Sequence, residues 1–163
     1  MFPDDIEALA RQVIEAASAR GLMVAAAESC TGGLVSAALT SVAGSSAVVE
    51  RSFVTYSNAA KTGLLGVPAD LIERHGAVSE AVARAMAEGA LSHSAAQVSV
   101  AVTGIAGPGG GSPDKPVGLV HFAASGPGGP THVERRFGDI GREEVRLASL
   151  RVALDLLLDR IGA

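Results

Sequence analysis

Ser29, Tyr56 and Lys61 are the residues of this chain whose types and placement could together do covalent chemistry. Ser29 lies in Ala25-Ala26-Ala27-Glu28-Ser29-Cys30-Thr31-Gly32-Gly33, where a small apolar run stops at a hydroxyl- and glycine-rich turn and an amphipathic stretch follows. That pattern predicts strand, tight turn, helix. It puts the serine at the carboxyl end of a strand, beside the unpaired backbone N–H groups of a helix start, where negative charge is favoured. A serine hydroxyl needs a neighbouring base to become a nucleophile at neutral pH. Lys61 stands in the otherwise apolar run Ala59-Ala60-Lys61-Thr62-Gly63-Leu64-Leu65, where burial would lower its pKa and leave part of it as the neutral amine. Tyr56 closes the preceding β-rich stretch and could serve as proton relay or orienting group. A surface lysine and a core-edge tyrosine is the simpler account of the same two residues, and residue type alone leaves both accounts open.

Other chemistries fit less well. Cys30 has no His or Asn partner near it in sequence to support a thiolate, so it reads as a small packing residue. His75, His93 and His132 fall in or beside turn-like or polar segments and His121 alternates within a strand, which favours surface or sheet-face roles. The loop Gly104-Ile105-Ala106-Gly107-Pro108-Gly109-Gly110-Gly111 follows an apolar strand pattern and could offer N–H groups to a carbonyl oxygen or a phosphate. It is not a Walker loop, because Lys115 is followed by Pro116 rather than Ser or Thr. The first strand also lacks the Gly-x-Gly-x-x-Gly of dinucleotide sites. Neither ATP nor a dinucleotide is supported, and no Cys/His spacing suggests a metal.

A chain of 163 residues, 48% apolar and 18% charged, is predicted to close one core, giving a single domain over 1–163. Aromatic residues make up only 3%, so that core must be built from Ala, Val, Leu and Ile, as in a sheet covered on both faces. The net charge of −4 and the lack of a basic cluster argue against a nucleic-acid partner. One cysteine and no long apolar run predict a reduced, cytoplasmic protein with no membrane contact.

Periodicity predicts helices over 3–20, 32–42, 79–90 and about 142–161, with a helix start capped by Asn58 and a short helical turn opened by Pro68. It predicts strands over 22–27, 47–56 and 97–103, then a pair over 117–124 and 131–137 joined by a Gly/Pro turn. Alternation of these elements gives an α/β class, a three-layer α/β/α sandwich on a mixed, largely parallel sheet. The loops after Ala27, Tyr56 and Thr103 should converge beyond the carboxyl ends of its strands, where ligands collect in such sheets.

Four ordered motifs, Glu28-Ser29-Cys30-Thr31-Gly32-Gly33, Val54-Thr55-Tyr56-Ser57-Asn58-Ala59-Ala60-Lys61, Gly76-Ala77-Val78-Ser79 and Thr103-Gly104-Ile105-Ala106-Gly107-Pro108-Gly109-Gly110, resemble the CinA carboxy-terminal domain family, the nicotinamide mononucleotide deamidases. The resemblance runs from about Asp4 to Ile161. It implies hydrolysis of the carboxamide of nicotinamide mononucleotide to nicotinate mononucleotide and ammonia, with no metal or cofactor. Ser29 would be the nucleophile, Lys61 the general base and Tyr56 the assisting hydroxyl, with N–H groups of the Thr31-Gly32 turn holding the oxyanion and the loop from Gly104 aiding. Ser46 and Thr103 match polar positions lining the family's pocket. The family's Gly-Asp-Arg motif is broken here, since Gly138-Asp139 is separated from Arg142 by Ile140-Gly141, with Arg146 four residues on. Either arginine could bind phosphate. The molybdopterin-binding-like domain that precedes some members is expected to be absent, and a homodimer or higher homo-oligomer is expected. A non-catalytic nucleotide-binding module on the same fold is the alternative.

Overall fold

β1 (Val24–Glu28) is the strand on which the rest is arranged, and all five of its residues are buried. In the computed structural model, which describes residues 1–162, it pairs in parallel with β2 (Val49–Val54) on one side and β3 (Val98–Gly104) on the other. β4 (Leu119–Ser125) runs antiparallel to β3, and β5 (Thr131–Arg136) antiparallel to β4, giving the order β2-β1-β3-β4-β5. Four strands therefore point one way and β4 the other. The mixed sheet predicted from the sequence is the sheet found.

The period-two alternation of the strands sorts two cores. Val24, Ala26, Val98, Val100, Val102, Val120 and Phe122 face α1 (Asp4–Arg20), α2 (Leu34–Thr40) and α6 (Arg142–Ile161). The intervening Ala25, Ala27, Ala101 and Ala123 face α3 (Asn58–Leu65), α4 (Ala69–His75) and α5 (Glu80–Ser92). The second face is paved with alanine, so its helices lie close to the sheet. Gly89 of α5 serves the same end, since a Cβ there would stand 2.1 Å from the carbonyl oxygen of Leu65. That approach seats the end of α3 against α5, one turn beyond Lys61.

Several element boundaries shift by one or two residues from those the sequence predicts, three of them for identifiable reasons. α2 begins at Leu34 rather than residue 32 because Gly32 (φ 57°) and Gly33 (φ 106°) are left-handed, which a right-handed helix does not admit. Ser57 rather than Asn58 caps α3, its extended backbone (φ −91°, ψ 161°) letting the hydroxyl accept from the Ala60 N–H while Asn58 is already helical. β1 runs on through Glu28, because Glu28 remains in register with Val54 and Val102. No helix among the described residues is long and apolar enough to cross a membrane.

Candidate active site

The strand order reverses around β1. The chain leaves it for β2 through α2 on one face, and returns from β2 to β3 through α3, α4 and α5 on the other. Loops leaving the carboxyl ends of β1 and β3 thus diverge, and a crevice opens between them at the topological switch point. It measures about 230 Å³ and is lined by Ser29, Cys30, Tyr56, Arg142 and the loop from Gly104 to Gly110. A larger hollow of about 370 Å³, lined by Arg84, Glu88, Ala123, Ser125 and Thr131, has no lysine beside its hydroxyls.

Ser29 is the last residue of the β1 segment gripped by the sheet, its N–H donating to the Val102 carbonyl at 2.9 Å. α3 brings Lys61 to it. Lys61 and Leu65 are the buried residues of that helix, one turn apart on its inner face, so the lysine occupies a position where amphipathic spacing would place an apolar side chain. Its Nζ lies 3.1 Å from Ser29 Oγ and donates to the Thr55 carbonyl at 2.9 Å. The side chain is 1% exposed, has no carboxylate partner, and burial lowers its pKa from the ordinary lysine value. Burial pushes the Cys30 thiol up to about 12. It is therefore a neutral thiol at pH 7, which leaves Ser29 as the nucleophile candidate of this turn.

Tyr56 does not reach this pair. It is 62% exposed, and its hydroxyl accepts from Arg142 at 3.0 Å. The proton relay expected between Tyr56 and Lys61 is not formed here, because Tyr56 stands exposed on the crevice wall while Lys61 is buried behind Ser29. The same Arg142 guanidinium donates to the Gly107 carbonyl at 2.8 Å, tying Tyr56, the glycine-rich loop and the first turn of α6 together. Arg146 turns away from the crevice. Its Nε and one terminal nitrogen donate to the carbonyls of Cys30 and Thr31, both at 3.1 Å.

Three other sequence expectations are corrected. Ser46 sits exposed in the 3-10 turn Ser45–Ala47 that leads into the amino end of β2, so the length of the sheet separates it from Ser29. Thr103 is at the correct end of β3, but its hydroxyl donates to the Ala77 carbonyl at 2.9 Å, bracing the Gly76–Ser79 segment rather than facing the crevice. Ser79 in turn caps α5 through the Val82 N–H. The third concerns the oxyanion donors, since the Gly32 N–H closes a turn onto the Ser29 carbonyl at 3.0 Å, and Thr31 is fully enclosed.

Glu28 was missed as a residue of consequence. Its buried carboxylate accepts from the N–H groups of Gly33 (3.2 Å), Val35 (2.9 Å) and Ser36 (3.1 Å), filling the amino end of α2 that otherwise would attract an external anion. An acidic residue ending an all-apolar strand immediately before a helix start was the available signal. Glu28→Gln presents an amide N–H to an N–H donor and should cost about 1–3 kcal/mol of unfolding free energy in urea titration. An unchanged midpoint would show that the carboxylate does not carry the cap.

Outside the crevice, His121 Nδ1 and His132 Nε2 are 2.9 Å apart with stacked rings, and burial lowers both pKa values. Among the described residues no group of three or more His, Cys, Asp or Glu side chains is placed to hold a metal ion.

Fold and site define the class: a three-layer α/β/α protein with a buried serine–lysine pair at the carboxyl edge of its sheet. The family model of the CinA C-terminal domain matches residues 6–161, and the chain belongs to that family. A CinA-like protein of Synechococcus sp. (strain RCC307) is 53% identical over 157 residues, 96% of this chain and 38% of that protein. A CinA-like protein of Anaeromyxobacter sp. (strain Fw109-5) is 52% identical over 158 residues, again 96% and 38%. The chain thus spans about 38% of the length of these curated relatives. Among solved structures, the competence/damage inducible protein CihA from Agrobacterium tumefaciens superposes with a TM-score of 0.97 at 56% identity, covering 100% of this chain and 99% of that one. The competence-damaged protein (CinA) superfamily protein from Escherichia coli gives 0.90 at 37% identity, covering 97% and 92%.

Proposed function

We propose that this chain is an amidohydrolase that converts nicotinamide mononucleotide to nicotinate mononucleotide and ammonia through an acyl-enzyme on Ser29. The observation that carries the reading is the 3.1 Å contact between the Oγ of Ser29, which lines the crevice, and the Nζ of a buried, carboxylate-free Lys61. With Lys61 neutral, the Ser29 hydroxyl donates to its lone pair, and the amine takes that proton as Oγ attacks the carboxamide carbon. The proton passes to the amide nitrogen, the C–N bond breaks and ammonia leaves. Water then attacks the ester with Lys61 again as base, and the proton it removes returns to Ser29 as the carboxylate product departs. The Thr55 carbonyl holds Nζ in place throughout. The pyridine nucleotide as substrate rests on the family resemblance, and Tyr56 on the crevice wall offers a ring on which a pyridine could stack. Homo-oligomerisation belongs to the same reading.

Ammonia release from the pure protein and the mononucleotide, with no added metal, tests the activity. No ammonia, with the mononucleotide bound unchanged, would leave the binding module as the account of the crevice.

Arg142 supplies the phosphate contact in this reading. It is exposed on the crevice wall, and two of the five N–H donors of its guanidinium are used within the chain. Arg142→Ala should raise KM for the mononucleotide roughly 10–100-fold while changing that of the phosphate-free riboside much less. Equal losses on both would remove Arg142 from the phosphate.

A further inference from the structure

Resting on the acyl-enzyme reading, we infer that Arg146 is a positioning residue that holds the Cys30 backbone N–H as an oxyanion donor. It would act from behind the nucleophile's turn and never touch the substrate.

The turn contains few unclaimed donors. Ser29 N–H goes to Val102, Gly32 N–H to the Ser29 carbonyl and Gly33 N–H to Glu28. The N–H groups of Cys30 and Thr31 have no acceptor in any other described residue, but Thr31 is fully enclosed and does not line the crevice, whereas Cys30 is 6% exposed on its wall. The Cys30 N–H belongs to the residue after the nucleophile, which is where a strand-to-helix turn can present an N–H to the oxygen of a carbonyl under attack.

What fixes its direction is the planarity of the trans peptide, in which C=O and N–H point oppositely. Arg146 pins the Thr31 carbonyl, so the Gly32 N–H must point away from the guanidinium, and it does so onto the Ser29 carbonyl. That carbonyl, so held, sends the Cys30 N–H in the opposite direction. Two planar units and one hydrogen bond thus connect the guanidinium to the donor. The second arm of the fork, on the Cys30 carbonyl, blocks rotation of the peptide between them. A cation on these carbonyls also polarises the peptides and strengthens their N–H groups as donors. A planar fork reaching two adjacent carbonyls is arginine geometry, which lysine does not reproduce. The residue that could equally have been a phosphate ligand is committed to the backbone instead.

The experiment compares wild type, Arg146→Lys and Arg146→Ala in the full chain. Two rates are measured: ammonia release from the mononucleotide, and covalent labelling of Ser29 by phenylmethanesulfonyl fluoride. In labelling, the Oγ–S bond forms, the S–F bond breaks and Lys61 takes the hydroxyl proton, with no part played by the nucleotide's phosphate. Expected are a fall in kcat of about 10²–10³-fold with KM little changed, a parallel fall in labelling rate, and partial recovery of Arg146→Ala by millimolar guanidinium ion. A KM effect confined to the mononucleotide, with labelling at the wild-type rate, would overturn the inference and make Arg146 a phosphate ligand. Should Arg146→Ala fail to fold, Arg146→Lys decides by the same two rates. Should wild type label at Ser29 yet release no ammonia, the substrate proposal fails, and the labelling rates alone still judge Arg146.

Discussion

Ser29→Ala is expected to lower amide hydrolysis by about 10³-fold or more, the scale seen when a covalent nucleophile is removed and only binding and oxyanion stabilisation remain. The fold should survive, because Ser29 is held through its backbone N–H to Val102 and the side chain is small. Binding of the mononucleotide should therefore persist, measurable by calorimetry on the inactive variant. Cys30→Ala is the matched control. Its buried thiol is held neutral by a pKa of about 12, so its loss should cost only packing. Near-normal turnover by Ser29→Ala, or its abolition in Cys30→Ala with the fold intact, would move the nucleophile to the neighbouring residue.

Lys61→Met should separate function from stability. Activity is expected to fall about 10²–10⁴-fold, the contribution of a positioned general base. Stability should rise by about 1–2 kcal/mol at neutral pH, because a thioether replaces an amine that lies buried with no carboxylate beside it. The sign of the pH dependence follows from the direction of the shift. Folding lowers the lysine pKa, so between the folded value and the ordinary 10.5 the unfolded chain binds the extra proton, and wild-type stability rises with pH across that window. The advantage of Lys61→Met in urea titrations should accordingly be greatest below the folded value and close as pH approaches 10.5. Wild-type activity should climb with pH through the lowered value, as the neutral amine accumulates. Lys61→Arg should be inactive at every pH, since arginine does not deprotonate. An active Lys61→Arg enzyme, or a Lys61→Met protein less stable than wild type, would contradict a buried neutral base.

Much of this was legible in the chain. Hydrophobic periodicity placed α1, α2, α5, α6 and the five strands, and capping residues marked α3 and α4, because burial of one face, or in β1, β3 and β4 of both, writes itself into residue spacing. The alternation of elements then prescribed a sheet with helices on both sides, and three loops at one end of it, which is where Ser29, Tyr56 and Arg142 meet. Local caps were nearly legible, missing by one residue at Ser57. Not legible was anything that depends on where a flexible polar side chain spends its donors. Lys61 reads identically as a surface residue until α3 is seated by Gly89 against α5 and turned so that Nζ meets Ser29. Arg142 and Arg146 lie one helical turn apart and are equivalent as letters. Only the packing of α6 against the turn after β1 sends the second to two backbone carbonyls and leaves the first at the crevice. The same holds for Thr103 and Ser46, whose hydroxyls suit a pocket by type but are placed by the sheet's direction, one against Ala77 and the other at the far end. Periodicity is a property of one element, whereas hydrogen-bond partnership is a property of two, and two elements distant in sequence acquire a relative orientation only when the core closes.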